Sequence, residues 1–304
     1  MGRVVILGVF VADTSYRADR APRMGETIMG NSFALGPGGK GSNQAVAAAR
    51  MGGDVHFVTK LGQDPFADMA LKTWEKAGVT PSVEQVADSY TGAAYIFVEE
   101  ASGDNAIIIC PGVAATISAE DIRAKSALIE GASVFVTQLE QPMPAAHEAL
   151  RIARAANVTT ILNPAPAAPI APEMLALCDY VTPNETEAEE LTGVSVADLD
   201  GAEKAAKALL AKGVGAAVIT LGENGAYFND GNRAEHVRAF NAGPVQETTG
   251  AGDAFNGAFA TALAEGHDPV VAMRMGCATA AISVTRAGTA PSMPSRAEVE
   301  ALLG

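Results

Sequence analysis

The segment ETTGAGDAFNGAF, residues 247–259, places Asp253 directly after Gly250, Ala251 and Gly252 and ahead of residues with the apolar spacing of a helix. Backbone N–H groups in the first turn of a helix have no intrahelical partner and carry partial positive charge, so such a turn can hold an anion. Gly250 and Gly252 remove the Cβ atoms that would keep an anion away from the main chain. An Asp in a first turn also has a plain use, as a cap or a partner of the helix dipole. A cap needs no glycine on either side, and the two glycines shift the reading toward an anion site with a base beside it.

A second glycine-rich stretch, GPGGKGSNQAVAAARMG at residues 36–52, also feeds a helical pattern. Gly36, Gly38 and Gly41 fit G-x-G-x-x-G, but that fingerprint belongs after the first strand of its fold, and here a segment of different character intervenes. A P-loop needs Lys followed by Ser or Thr; Lys40 precedes Gly41, so no P-loop is present. What is left is a tight turn into a helix, with Lys40 and Asn43 either solvated or set to meet a polar ligand. In TPNETEAEELTG, residues 182–193, Asn184 and Glu187 fit a capping box, and Glu185, Glu189 and Glu190 add to an acidic helix start. The alternative role for Asn184 and Glu187 is as hard oxygen donors acting through water on Mg²⁺-bound phosphates. TLGENGA, residues 220–226, reads by itself only as a strand end and a glycine turn.

The frame for these groups is legible as alternation. Apolar or β-branched runs at 4–9, 55–59, 134–137, 158–162, 180–182 and 217–221 predict strands. Between most of them, Ala-rich stretches at 42–51, 66–77, 145–156 and 202–211 predict helices. Continuous apolar strands alternating with helices give an α/β fold: a mostly parallel sheet flanked by helices, with ligands beyond the carboxyl ends of its strands. Residues 14–35 and 91–109 break the rhythm, the latter reading as two strands joined by ASGD. They predict a small β-sheet lid inserted in one core domain spanning 1–304.

The bulk numbers exclude several classes. The 304 residues carry a formal charge of −14, which argues against a nucleic-acid or anionic-membrane surface. VVILGVFVA, residues 4–12, is too short to span a bilayer, and no A-x-A cleavage site follows it. Cys110, Cys178 and Cys277 are odd in number and widely spaced in apolar surroundings, which predicts reduced core cysteines in a cytoplasmic protein. The four histidines show no metal-ligand spacing.

Together, GGKGSNQAVAAARMG (38–52), NPAP (163–166), TPNETEAEELTG, ITLGENGA (219–226), TTGAGDAFNGA (248–258) and VTRAGTAPSMP (284–294) resemble, in order, the signatures of the PfkB carbohydrate kinase family and, within it, the ribokinase branch. The resemblance implies a Rossmann-like, ribokinase-like α/β fold whose lid pairs two subunits. It implies an ATP-dependent sugar kinase with D-ribose as the leading acceptor, and 2-deoxyribose, fructose or a nucleoside as alternatives. Asp253 would be the base, with Gly250, Ala251 and Gly252 as the anion hole. Asp13, Gly39, Lys40, Asn43 and Glu140 would hold the sugar. Asn184, Thr220, Gly222, Gly225 and Cys277 would border ATP, and Glu187 would position Mg²⁺. Glu247, Thr249, Ser283, Arg286, Gly288 and Ser292 fall where the family arranges a K⁺ loop.

Three positions depart from the family pattern. Val11 stands where Asn-x-Asp is usual, which leaves one sugar hydroxyl without an amide and costs about 1–3 kcal/mol. Glu247 replaces an Asp at the cation loop, and Cys277 a His near the adenine. Other classes compete. A non-catalytic sugar sensor has no need of Asp253, and an NAD-dependent oxidoreductase rests only on the misplaced G-x-G-x-x-G.

Overall fold

The computed structural model describes residues 2–304. The chain begins with β1 (Arg3–Leu7), β2 (Val11–Ala18), β3 (Ser32–Gly38), α1 (Lys40–Arg50), β4 (Asp54–Gly62), α2 (Pro65–Ala77), β5 (Thr80–Val86), β6 (Thr91–Glu99) and β7 (Asn105–Gly112). It continues through α3 (Ala119–Arg123), α4 (Ser126–Glu130), β8 (Val134–Thr137), α5 (Met143–Ala155), β9 (Thr159–Leu162), α6 (Pro172–Leu175), β10 (Tyr180–Val181), α7 (Glu185–Thr192) and α8 (Leu199–Ala211). It closes with β11 (Ala216–Thr220), β12 (Ala226–Asn229), β13 (Ala234–Val237), α9 (Ala251–Ala264), α10 (Pro269–Ser283) and α11 (Arg296–Leu303).

Nine strands form one sheet in the order β13-β12-β11-β10-β9-β8-β1-β4-β5. Pairing is parallel from β5 to β11 and antiparallel through β12 and β13. The apolar run of β1 shows why both faces are covered: Val4 and Ile6 point into one core, Val5 and Leu7 into the other, and all four are fully buried. The first core is filled from α1, α2, α9, α10 and α11, the second from α3 to α8. β1 sits between β4 and β8, so the chain changes direction across the sheet there, and the crevice beyond the ends of β1 and β8 is where a ligand fits.

The second sheet has the order β3-β2-β6-β7 and takes in both segments that break the helix–strand rhythm. Its outer pairs are antiparallel, whereas β2 and β6 in the middle run parallel. Edge strand β5 escapes sequence reading because Pro81 and an exposed pattern mask it, as suits an edge. Cys178 and Cys277 are buried, but Cys110 is exposed on edge strand β7, which corrects its assignment to the core.

Helices α1 and α9 lie together with their first turns toward the crevice. The approach depends on Gly257: a Cβ there would stand 2.5 Å from Ala47 Cβ and 2.6 Å from Gln44 O. Gly257→Ala is therefore expected to cost about 1–3 kcal/mol and to lower the thermal midpoint. An unchanged midpoint would show that the two helices part freely.

Candidate active site

Asp253 stands in the first turn of α9, whose N-cap is Gly250 at φ 84° with no side-chain cap. Its carboxylate does not cap the helix. It crosses instead to α1, where Asn43 Nδ2 donates to Oδ2 at 3.0 Å and Gln44 Nε2 donates to Oδ1 at 3.1 Å. Burial pushes the Asp253 carboxyl above its ordinary range, while Lys40 and the two amides act the other way. Asn43 keeps a free acceptor: its Oδ1 is buried and has no hydrogen-bond partner. A donor from a bound ligand would satisfy it.

The turn before Asp253 has the freedom an anion site needs. A side chain at Gly250 would be strained by the positive φ and would press on Thr289 at 3.3 Å. The Ala251 N–H turns back to Thr248 O at 3.2 Å, so of the three residues expected to form the hole, Ala251 has its N–H already engaged. The next N–H groups, of Gly252 and Asp253, lie in the unpartnered first turn.

The groups expected to hold a sugar gather around this point. Gly39, at φ 88°, is the N-cap of α1, and a Cβ on it would sit 2.5 Å from Val9 O. The Lys40 N–H, one of the free donors at that helix start, binds Glu140 Oε2 at 2.7 Å. The Glu140 carboxyl is pushed up to about 7, first by burial, with Lys40 opposing and Asp253 and Asp13 adding. Asp13 is raised to about 6 by burial, then by Glu247 and Asp253. Its carboxylate fills the space over Gly38, where a Cβ would come within 2.1 Å of Oδ2. Several carboxylates thus crowd one crevice, and Lys40 is the cation that opposes Glu140, Asp253 and Glu187 alike.

A second group forms at the ends of β10 and β11. Asn184 caps α7 in a capping box, its side chain accepting from Glu187 N at 2.8 Å while Glu187 Oε2 accepts from Asn184 N at 2.9 Å. Thr220 N donates to Pro183 O at 2.9 Å, which brings β11 and its turn to Asn184. Gly222 and Gly225 take positive φ in that turn, and a Cβ on Gly225 would fall 2.0 Å from Val237 O. Glu187 is buried and its carboxyl raised, mainly by that burial; Oε1 takes no part in the cap. Among the described residues no three His, Cys, Asp or Glu side chains cluster as a metal cage.

Residues 1–296 match the family described as pfkB family carbohydrate kinase. The chain belongs to the pfkB carbohydrate kinase family. It is 38% identical over 296 residues to a ribokinase of Haemophilus influenzae, covering 97% of this chain and 96% of that one. It is 37% identical over 294 residues to a deoxyribokinase of Salmonella typhi, with 96% and 95% covered. A solved structure of Arabidopsis thaliana ribokinase complexed with ribose and ATP superposes with a TM-score of 0.93 at 30% identity, covering 99% of this chain and 98% of that one. As a family member, the protein is an ATP-dependent carbohydrate kinase that transfers a phosphoryl group to an alcohol.

The remaining residues of this kinase divide. Glu247 and Gly288 meet, Glu247 Oε2 accepting from Gly288 N at 2.8 Å, and Gln246 and Glu247 both donate their N–H to Val284 O. Ser292 Oγ binds Thr289 O at 2.7 Å. The side chains of Ser283 and Arg286 are engaged elsewhere, with Ala280 O and with Glu298 on α11, and Thr249 is exposed. Cys277 is buried in α10, one turn from Arg274, whose guanidinium lies 5.5 Å over the Phe240 ring; burial pushes its thiol up to about 12. Sequence reading passed over Gln44, Gln138, Asn163, Thr182 and Asn256. All but Gln138 fall within the segments that carry the family resemblance, yet they were given no role there, and only the fold links them in one network to Asp253.

Proposed function

We propose that this kinase converts D-ribose and ATP to D-ribose 5-phosphate and ADP, with Asp253 taking the proton from the attacking hydroxyl. The observation that carries the reading is the placement of a buried carboxylate, held by two amides, beside an uncapped helix start. Phosphoryl transfer asks for positioning and charge stabilisation more than covalent help, and this arrangement offers both. The N–H groups of Gly250, Ala251 and Gly252 form the anion hole, Ala251 exchanging its bond to Thr248 O for the phosphoryl oxygen. Asp13, Gly39, Lys40, Asn43 and Glu140 bind the sugar; the unpartnered Asn43 Oδ1 supports a hydroxyl donating to it.

The group formed by Asn184, Thr220, Gly222 and Gly225, together with Cys277, takes the nucleotide. Mg²⁺ fits here as an ion held by phosphates and water, with Glu187 Oε1 as the outer partner, since no protein cage is present among the described residues. Bound there, it neutralises charge on the phosphates. K⁺ is assigned to the loop joining Glu247, Thr249, Ser283, Arg286, Gly288 and Ser292, where Arg286, its guanidinium turned to Glu298, has only a backbone oxygen to offer.

Val11 favours a second reading. It is buried, pairs with Gly38, and lies on the same face of β2 as Asp13 two residues on. An apolar group there suits 2-deoxy-D-ribose, and the Salmonella typhi relative is described as a deoxyribokinase. ADP release with Mg-ATP and K⁺ on D-ribose, 2-deoxy-D-ribose, D-fructose and adenosine tests both. Preference for D-ribose is expected. A preference of tenfold or more for the deoxy sugar would overturn the acceptor and keep the base, and silence on all four would point to an untested sugar.

A homodimer through the lid belongs to the same reading, in a cytoplasm that supplies ATP. By strand alternation and register, Tyr16, Phe33, Leu35, Tyr95 and Ile108 share the lid face opposite Asp13, and all five are exposed. So many apolar side chains on one face favour burial against a second copy. Ile108→Asp is expected to shift the solution mass from dimer to monomer. A wild-type protein that is already monomeric would contradict the assignment.

A further inference from the structure

Asp253 is gripped on one oxygen by Asn43 and on the other by Gln44, a residue that no motif singles out. We propose that Gln44 is a positioning residue for phosphoryl transfer, its amide fixing the Asp253 carboxylate so that the remaining lone pairs face the acceptor hydroxyl. The inference rests on Asp253 being the base.

Gln44 is fully buried and all its polar atoms are committed. Nε2 donates both to Asp253 Oδ1 at 3.1 Å and to Asn163 Oδ1 at 3.0 Å, and Oε1 accepts from Gln138 Nε2 at 2.6 Å. Turning the amide over would set oxygen against oxygen at two points and nitrogen against nitrogen at a third. Its orientation is therefore set by its neighbours, not by Gln44 itself. Gln138 reaches it through a space left by two glycines: a Cβ on Gly8 would be 2.5 Å from Gln138 Oε1, and one on Gly41 2.8 Å.

The other arm returns to the same helix. Asn163 Nδ2 donates to Thr182 O at 3.0 Å, and Thr182 Oγ1 meets Asn256 Oδ1 at 2.6 Å. Asn256 Nδ2 then binds Gly252 O at 2.8 Å, one residue before Asp253. The ends of β8, β9 and β10 are tied through these amides to α1 and α9, so the base is located against the sheet as well as against its own helix. The neutrality of Gln44 matters too. A Lys or Arg in its place would bind the carboxylate more strongly and leave a weaker base, whereas an amide orients it at less cost in basicity.

The test is kcat against pH for the wild type, Gln44→Met, Gln138→Met and Asp253→Asn, with the sugar KM at each pH. Losing the Gln44 donor disfavours the carboxylate, so the acid limb of kcat moves up by about one pH unit. On the acid side of the limb that is a kcat loss of about tenfold with sugar KM within about twofold, and the loss shrinks in alkali. Gln138→Met, which removes one of the three contacts that hold the Gln44 amide, is expected to move the limb the same way by less. A Gln44→Met enzyme whose limb stays put, with any loss uniform across pH, would reduce Gln44 to packing and overturn the proposal. If that variant fails to fold, an unmoved limb in Gln138→Met overturns it. Near-normal turnover by Asp253→Asn would instead remove the base on which the proposal stands.

Discussion

Asp253→Asn is expected to lower kcat by about 10³-fold while D-ribose and ATP still bind. Asn keeps the shape of the side chain and can still accept from Asn43 or Gln44, but it cannot take a proton from the attacking hydroxyl. A stability signature accompanies the loss. The Asp253 carboxyl is raised in the fold above its ordinary value, so ionising it costs native stability, and that cost is incurred as pH rises through the raised pKa. Asn has no such slope. The variant's thermal midpoint is therefore expected to fall less than the wild type's between about pH 4, near the ordinary carboxylate value, and about pH 7. Steady-state kinetics, equilibrium binding and thermal unfolding at the two pH values read all three effects. A variant with near-normal kcat would remove Asp253 from the chemistry.

Lys40→Met is the other substitution expected to act strongly. Lys40 is the cation that draws Glu140, Asp253 and Glu187 toward their charged forms against burial and mutual repulsion. Without it those carboxyls rise further, since removing a nearby opposite charge raises an acid's pKa by about 1–3 units. The base is then protonated over a wider range, and the acid limb of kcat/KM moves to higher pH. On the acid side of the wild-type limb a loss of about 100-fold in kcat/KM follows, recovering in part in alkali. A variant whose pH profile superposes on the wild type's would show that Lys40 touches the sugar without influencing the acids.

Much of this was legible before any coordinate. The run Val134–Thr137 matches a strand residue for residue, because a fully buried parallel strand is written as a continuous apolar run with sharp ends. Asn184 and Glu187 form the capping box their spacing requires, since capping is local chemistry. Asp253 and its glycines were equally plain, but the partners of Asp253 were not. Asn43 and Gln44 lie some 210 positions away in the chain, and no periodicity reports a contact closed by tertiary packing. The same limit hid Gln138 and Asn163. Cys110 misled for a related reason: an apolar neighbourhood in sequence, AIIIC, became an exposed edge strand instead of core. The side-chain partners of Arg286 and Ser283, Glu298 on α11 and Ala280 O in the last turn of α10, were likewise not legible from position in the sequence.

The central claim is that this crevice moves a phosphoryl group from ATP to a sugar hydroxyl. Phosphorus NMR of D-ribose, Mg-ATP and K⁺ with the wild-type enzyme tests it most directly. The account predicts one equivalent of ribose 5-phosphate for each ADP formed, with no inorganic phosphate. ADP accompanied by inorganic phosphate and no sugar phosphate, or no turnover with any sugar, would contradict it.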